Sequence, residues 1–151
     1  MKNLKKIITL SLCVFCHAAF SQTSNKEADS TWSKSISKIE GEGRTCNMIN
    51  SFSGDLNHDG ANDLLVYYSC NIKGSIGKGT TGGGWAIWLN KNGVLQFLLN
   101  DENKFGLAPL QILKDGSINC NQLQYDSDSG KPSVIGQRKV KLEGNALVIL
   151  K

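Results

Sequence analysis

From residue 44 onward the chain is a series of short apolar runs separated by polar turn signals. Val, Ile, Leu, Tyr and Trp are frequent in the runs, and most of these residues favour β-strands. The runs lie at 46–52, 64–70, 85–90, 94–99, 110–113, 117–124, 137–142 and 146–150. This succession of short strands with turn signals between them predicts a mainly β fold.

The turn signals predict how neighbouring strands are connected. Three of them are the hairpin-type sequences Lys91-Asn92-Gly93, Lys114-Asp115-Gly116 and Glu143-Gly144-Asn145. Asn, Asp and Gly favour tight hairpins because they tolerate a positive φ. We therefore predict an antiparallel meander, arranged as a curved sheet, a small sandwich or a partly open barrel, with one short N-terminal helix.

The helix is predicted from a change of periodicity near the N-terminus. Trp32, Ile36 and Ile39 follow the i, i+4, i+7 spacing of one helix face. Residues 22–31 are polar and charged and have little to bury, so they are predicted to form a flexible N-terminal arm. The remainder, 32–151, is predicted to be a single mainly β domain.

The first 21 residues have the pattern of a secretory signal peptide. Basic residues precede an apolar stretch at 7–20, which is shorter than the roughly 20 residues that a membrane span needs. Ala19 and Ser21 are the small residues that a cleavage site requires, so we expect cleavage before Gln22. No second long apolar run follows, and no membrane span is expected.

A lipid anchor is the alternative fate for this leader. Cys13 ends a sequence with the outline of a lipobox, but Leu12 stands where a small residue is needed, which disfavours lipidation. The short basic leader resembles those of bacteria. The predicted location is therefore periplasmic or extracellular.

The charge balance excludes one class of partner. The chain of 151 residues carries a formal charge of +4, but Lys2, Lys5 and Lys6 lie in the leader. The other 14 of the 17 basic residues face 13 acidic ones, which leaves about +1. Nucleic-acid binding needs a basic footprint, so no nucleic-acid partner is expected.

The most informative segment is the acidic loop Gly54 to Val66, GDLNHDGANDLLV. Its potential ligands, at positions 1, 3, 5, 7 and 9, are Asp55, Asn57, Asp59, the carbonyl of Ala61, and Asp63. Alternate oxygens can converge on one cation, and Gly60 permits the sharp turn. Because every ligand is oxygen, the expected cation is Ca²⁺. The alternative is a capped Asx turn that binds nothing.

This segment resembles the strand–loop–strand calcium loop of FG-GAP-type repeats. In those repeats the ligands come from the positions matched here by Asp55, Asn57, Asp59, Ala61 and Asp63. An EF-hand or a dockerin loop would need an acidic residue where Val66 stands. The match occurs once, so the resemblance implies a calcium loop carried by another β fold and implies no particular activity.

Three cysteines, Cys46, Cys70 and Cys120, remain after removal of the leader. If the acidic loop closes a hairpin, Cys46 and Cys70 lie within one step of facing each other. We therefore predict a Cys46–Cys70 disulfide with Cys120 free, while Cys70–Cys120 remains the other possible pairing. After removal of the leader the chain has no CxxC pair and only one histidine, His58, which disfavours zinc.

Two further features bear on ligand binding. Trp85 and Trp88 lie on opposite faces of one predicted strand. An exposed indole could stack on a sugar, although core packing is the favoured interpretation. The glycine-rich segment 73–84 lacks the P-loop pattern, and we predict a long loop there that, with 125–136, can contact a partner.

These features together predict a secreted, calcium-stabilised β module that binds an unknown protein or glycan. A glycan-binding protein that uses an exposed Trp is one alternative. A secreted hydrolase is another, and because His58 lies within the acidic loop, it would depend on carboxylate pairs. The candidate pairs are Asp101 with Glu102 and Asp126 with Asp128.

Overall fold

The computed structural model describes residues 25–74, 82–127 and 129–151. The predicted leader and residues 75–81 of the glycine-rich segment lie outside the described residues. The elements, in chain order, are α1 (Asn25–Ser35), α2 (Ser37–Glu40), β1 (Arg44–Gly54), β2 (Asp63–Ile72), β3 (Gly82–Lys91), β4 (Val94–Asp101), a 3-10 turn (Glu102–Lys104), β5 (Leu107–Ile112), β6 (Ile118–Tyr125), β7 (Pro132–Glu143) and β8 (Ala146–Leu150).

The strands form two antiparallel four-stranded meanders. Sheet A has the order β1-β2-β3-β4, and sheet B has the order β5-β6-β7-β8. Each strand pairs with its neighbour in the sequence, as the hairpin turn signals predict. The mainly β antiparallel prediction is confirmed, and of the three architectures that it left open the chain adopts the small sandwich.

The core of the sandwich lies between the two sheets. Strand alternation directs Leu65, Trp85 and Ile87 of sheet A toward Ile118 and Val140 of sheet B, and all five side chains are completely buried. Removal of this apolar surface from water is the main force that holds the sheets together. No hydrogen-bonded ladder joins the described strands of one sheet to those of the other, so the sheets do not close into a barrel.

The opposite face of sheet A is covered by α1. Trp32 of α1 packs against Tyr68 and Trp88, with ring centroids 5.5 and 6.5 Å away. Val66 and the disulfide cysteines belong to the same buried cluster. Sheet A is therefore covered on both faces, which explains why seven of the ten residues of β2 and six consecutive residues of β3 are buried.

Helix α1 begins earlier than the sequence pattern predicts. Residues 25–31, predicted to lie in a flexible arm, are helical, and Ala28 is completely buried one turn before Trp32. Glu27 in the first turn also suits the positive end of the helix dipole. The sequence pattern did not predict these first turns of α1 because their residues are mostly polar and the side chain that is fully buried there, Ala28, is small.

The hairpin turns use positive φ where it is needed. Asn92 and Gly93 between β3 and β4 have φ values of 57° and 83°, the signs of a type I′ turn. Gly116 and Gly144 in the other two predicted turns have φ values of 66° and 59°.

Within the described ranges, no helix has the length and apolar composition required to cross a bilayer.

Candidate metal centre

The acidic loop connects β1 to β2 at one end of sheet A. Gly54 and Asp63 are the last residues of the two strands to pair, and they fix the ends of the loop. Within the loop, His58 and Gly60 adopt positive φ values of 64° and 86°, which fold the chain back tightly. The His58 side chain is exposed and lies beside Gly116 of the β5–β6 turn.

Side chains at the odd positions of the loop accept hydrogen bonds from its backbone. The Asp55 carboxylate accepts from the amides of Asp59 at 3.1 Å and Gly60 at 2.9 Å. Asp59 accepts from the Ala61 amide at 2.9 Å and from the Asn57 side-chain amide at 2.8 Å. The structure thus brings the first three candidate ligands together in one hydrogen-bonded turn.

Asp63, the last candidate ligand, has a second role that the sequence pattern did not indicate. Only 1% of its surface is exposed. Its Oδ2 accepts from the Leu56 amide at 2.9 Å, and its Oδ1 accepts from the Asn90 amide at 2.8 Å. Because Asn90 belongs to β3, this carboxylate connects the loop to the neighbouring strand.

The electrostatic environments of these carboxylates differ. Burial raises the pKa of Asp63. Hydrogen bonds from the Asn90 and Leu56 amides oppose this rise. The negative charges of Asp59 and Asp55 add to it. The pKa of Asp59 is lowered by the hydrogen bonds from Ala61 and Asn57. Within the described part of the chain, neither ion pair involves the loop. The loop therefore concentrates negative charge that a cation would neutralise.

The donor chemistry of the loop fits a hard cation, whereas its carboxylates are arranged for backbone bonding. A carboxylate has about four lone-pair sites. Asp55, Asp59 and Asp63 can therefore each make further contacts, such as a bond to a cation, beyond the hydrogen bonds given above. Among the described residues, no three His, Cys, Asp or Glu side chains converge closely enough to hold a metal. The loop thus adopts a self-bonded form, in which its side-chain oxygens cap its own backbone amides.

The disulfide prediction is confirmed. Cys46 and Cys70 are direct cross-strand partners of β1 and β2, and they are bonded with their Cα atoms 4.0 Å apart. The alternative Cys70–Cys120 pairing is wrong, because Cys120 lies in the core between the sheets. There it is a free, buried thiol that donates to the Arg138 carbonyl at 3.2 Å. Burial raises the pKa of Cys120 to about 11.

The structure buries both tryptophans that the sequence offered as ligand contacts. Trp85 donates its indole N–H to the Leu107 carbonyl at 2.7 Å, and Trp88 donates to the Ser35 hydroxyl at 3.2 Å. Both indoles pack in buried cores, as the favoured interpretation predicts, and the alternative of an exposed indole is wrong because sheet A is covered on both faces. Among the described aromatic residues, Tyr125 is the most exposed, at 37%, and its ring stacks on that of Phe105.

The three described carboxylates among the four considered for a hydrolase are each bound by a neighbouring residue. Glu102 binds Arg44 through two contacts of 2.6 and 3.1 Å, and the hydrogen bond from Arg44 lowers its pKa. Asp101 binds Lys104 at 2.9 Å, and Asp126 accepts from both the backbone and the hydroxyl of Ser129. Asp128 lies outside the described residues.

Comparison with protein-family models, with curated proteins and with solved structures returned no match to this chain. The fold and the side-chain arrangement described above are therefore what a functional proposal has to rest on.

Proposed function

We propose that this chain is a secreted β-sandwich binding module in which the Asp55–Asp63 loop binds Ca²⁺. One observation carries the proposal: three carboxylates lie in one nine-residue turn, and no described ion pair neutralises any of them. The oxygen-only ligand set favours calcium over a transition metal. The FG-GAP-like spacing of Asp55, Asn57, Asp59, Ala61 and Asp63 supports the same cation.

The role proposed for the ion is structural. Asp63 ties the loop to β3, so a cation held by the loop would stabilise the end of sheet A. Extracellular calcium modules have dissociation constants of about 10⁻⁴ to 10⁻³ M. At about 1 mM calcium, such a site adds roughly 0.4 to 1.4 kcal/mol to the free energy of unfolding.

The proposed location is periplasmic or extracellular. The buried Cys46–Cys70 disulfide supports an oxidising compartment, where such bonds form and persist. The leader-like pattern of residues 1–21 supports export. The partner is a protein or a glycan, and a glycan that stacks on an aromatic ring would have to use a residue other than Trp85 or Trp88.

Thermal unfolding with and without calcium tests the metal site. We expect about 1 mM calcium to raise the Tm of the wild-type protein by roughly 1 to 6 °C above its value in excess chelator. Asp59→Ala should abolish this difference, because the substitution removes a ligand at an exposed position. Asp126→Ala is the matched control, since it removes another exposed turn aspartate that lies outside the loop.

The control should retain the calcium-dependent rise. If wild-type protein unfolds at the same temperature in chelator and in calcium, the loop is a capped Asx turn and the calcium proposal is wrong. A rise that persists unchanged in Asp59→Ala would place the ion elsewhere on the chain.

A further inference from the structure

Strand β8 forms one edge of sheet B. An edge strand leaves a row of backbone N–H and C=O groups unpaired, and such a row can hydrogen-bond to another extended chain. Folded proteins commonly protect these edges with bulges, proline or charged side chains. The described sheets have four edges, which are β1 and β4 in sheet A and β5 and β8 in sheet B.

Three of these edge strands carry a protecting irregularity. The pairing of β1 skips Ile49, the pairing of β4 skips Leu98, and the pairing of β5 skips Leu110. Each skipped residue marks a bulge, which bends the strand and disrupts its free edge. Strand β5 also contains Pro109, which has no N–H to donate.

Strand β8 lacks each of these protections. Its five residues, Ala-Leu-Val-Ile-Leu, pair with β7 in unbroken register and include neither a charge nor a proline. Val148 and Ile149 are 38% and 47% exposed. Ile149 lies opposite the buried Val140 and Val148 lies opposite Lys141, so apolar surface is exposed on both faces of the edge.

The neighbouring strand supplies a charge preference. Lys139 and Lys141 of β7 lie opposite Leu150 and Val148, on the outer face of sheet B. Neither ammonium group forms an ion pair with a carboxylate in the part of the chain that the structure describes. A strand added beside β8 would place its outward side chains next to Val148 and Leu150, within reach of these two lysines.

We propose that β8 binds an extended peptide segment of a partner protein by strand addition. The segment has apolar residues on the side that covers Ile149 and acidic residues on the side that faces Lys139 and Lys141. Main-chain hydrogen bonds supply affinity in this binding mode, and alternate side chains supply specificity. The inference rests on the proposed role as a binding module and names the class of its partner.

A second copy of this chain fits the same edge less well. Its β8 would be apolar but would bring two more lysines to the outer face, with no acid to pair with Lys139 and Lys141. A five-residue strand spans only about 17 Å, so strand pairing alone contributes little of the roughly 1,600 Å² that a standard interface buries. Charge complementarity therefore favours an acidic peptide.

A pair of synthetic peptides tests the proposal on the purified protein. One labelled peptide alternates Val with Glu, and its control alternates Val with Lys, and binding is followed by fluorescence anisotropy at low salt. We expect the Val/Glu peptide to bind about tenfold more tightly than the Val/Lys peptide. Equal affinity for the two peptides, or no measurable binding of either, overturns the proposal.

Two variants locate the site. Val148→Glu places a carboxylate across from Lys141, where it neutralises that lysine and repels an acidic strand, so we expect about a tenfold loss of Val/Glu binding. Val94→Glu is the matched control, because Val94 is 60% exposed and begins the bulged edge strand β4. Equal loss in both variants contradicts a site on β8.

A charge-reversed protein gives a test that leaves β8 unchanged. The double variant Lys139→Glu and Lys141→Glu should bind the Val/Lys peptide in preference to the Val/Glu peptide. Retention of the original preference overturns the assigned charge complementarity. Sedimentation of the protein alone tests whether a second copy of the chain occupies the β8 edge instead. A wild-type dimer that Val148→Glu converts to a monomer would identify a second copy as the partner and overturn the proposal.

The peptide titrations are repeated in calcium and in excess chelator. If calcium produces no thermal stabilisation but the Val/Glu peptide still binds through β8, the calcium proposal fails and the strand-addition proposal stands. If calcium stabilises the protein and neither peptide binds, the strand-addition proposal fails and the calcium proposal stands.

Discussion

Asp63 shows how one side chain can serve the backbone of two elements. Its two oxygens accept hydrogen bonds from the amides of Leu56 in the loop and Asn90 in β3, at a position with almost no solvent access. Without this acceptor, the Leu56 amide would be unsatisfied in a buried setting and the Asn90 amide in a partly buried one, which is costly. The residue that the sequence pattern assigns to a metal is therefore also a structural link within sheet A.

Replacing Asp63 by asparagine separates these contributions. An amide offers only one acceptor oxygen and turns an N–H₂ group toward the other backbone donor, so we expect Asp63→Asn to lower the free energy of unfolding by about 1 to 3 kcal/mol in chelator. Urea denaturation measures the change. Asp59→Asn, at an exposed position of the same loop, should stay within about 0.5 kcal/mol of wild type. Similar losses in the two variants would contradict the role assigned to burial.

Cys120 gives a prediction with a defined pH dependence. Because burial raises its pKa to about 11, the native state holds the thiol proton more tightly than the unfolded chain, whose thiol pKa is about 8.5. The stability gained from the protonated thiol is complete below pH of about 8.5 and is lost as the pH rises toward 11.

A thiol reagent measures this protection. At pH 8 we expect native protein to label at Cys120 far more slowly than urea-unfolded protein, with Cys120→Ser as the background for other thiols. The unfolding free energy of wild type should fall relative to that of Cys120→Ser between pH 8.5 and pH 11. Rapid labelling of the native protein at pH 8 would show that the thiol is accessible.

At the scale of the elements, strands and tight turns were predictable because their signals are local. Asn92-Gly93 marked a turn with positive φ at both residues, and the Cys46–Cys70 register followed from counting outward from the acidic loop. The first turns of α1 were missed because the burial of Ala28 depends on sheet A, far away in the sequence. Bulges at Ile49, Leu98 and Leu110 were likewise unpredictable, since they reflect how each strand meets its neighbour.

The glycine-rich segment illustrates the same limit. The sequence predicts a loop throughout 73–84, yet Gly82 to Gly84 are the first residues of β3. A Cβ built at Gly84 would come 2.7 Å from the Cα of Glu102, and the backbone of Asp101 lies close as well. Glycine is required at position 84 because the backbone of Asp101 and Glu102 approaches it closely. No local sequence pattern reveals this long-range contact.

Alanine substitutions at two of these glycines test the requirement. Gly84→Ala must displace the Asp101–Glu102 backbone, and we expect it to lower the free energy of unfolding by about 1 to 3 kcal/mol. Gly82→Ala is the matched control, because a Cβ there meets nothing within 4 Å, and it should change stability by less than about 0.5 kcal/mol. Chemical denaturation that ranks the two variants equally would contradict the close approach.

At the scale of the whole molecule, the sandwich and its helical cover form two cores separated by sheet A. The disulfide lies in the core beneath α1, whereas Cys120 lies in the core between the sheets. Sequence reasoning could not assign these residues to different cores, because the packing of sheet B onto sheet A depends on the whole chain. The separation also keeps the free thiol away from the disulfide, on the other side of sheet A.

This arrangement predicts that the disulfide contributes more stability than the metal. Closing the loop between Cys46 and Cys70, which are 24 residues apart, contributes roughly 3 kcal/mol in the chain-entropy model. The proposed calcium site would contribute at most about 1.4 kcal/mol at about 1 mM calcium. We therefore expect the double variant Cys46→Ala and Cys70→Ala to lose at least about twice as much unfolding free energy as chelation removes.

The matched control for that comparison is Cys120→Ala. It removes a buried sulfur from the other core without opening a covalent loop, so its cost should be near 1 kcal/mol, the packing loss of one small side chain. Urea denaturation with and without a reducing agent completes the design. Reduction should bring wild type close to the double variant and leave the double variant unchanged, because only the wild type has a disulfide to lose. If the double variant were no less stable than Cys120→Ala, the cross-link would contribute nothing beyond the packing of its two sulfurs.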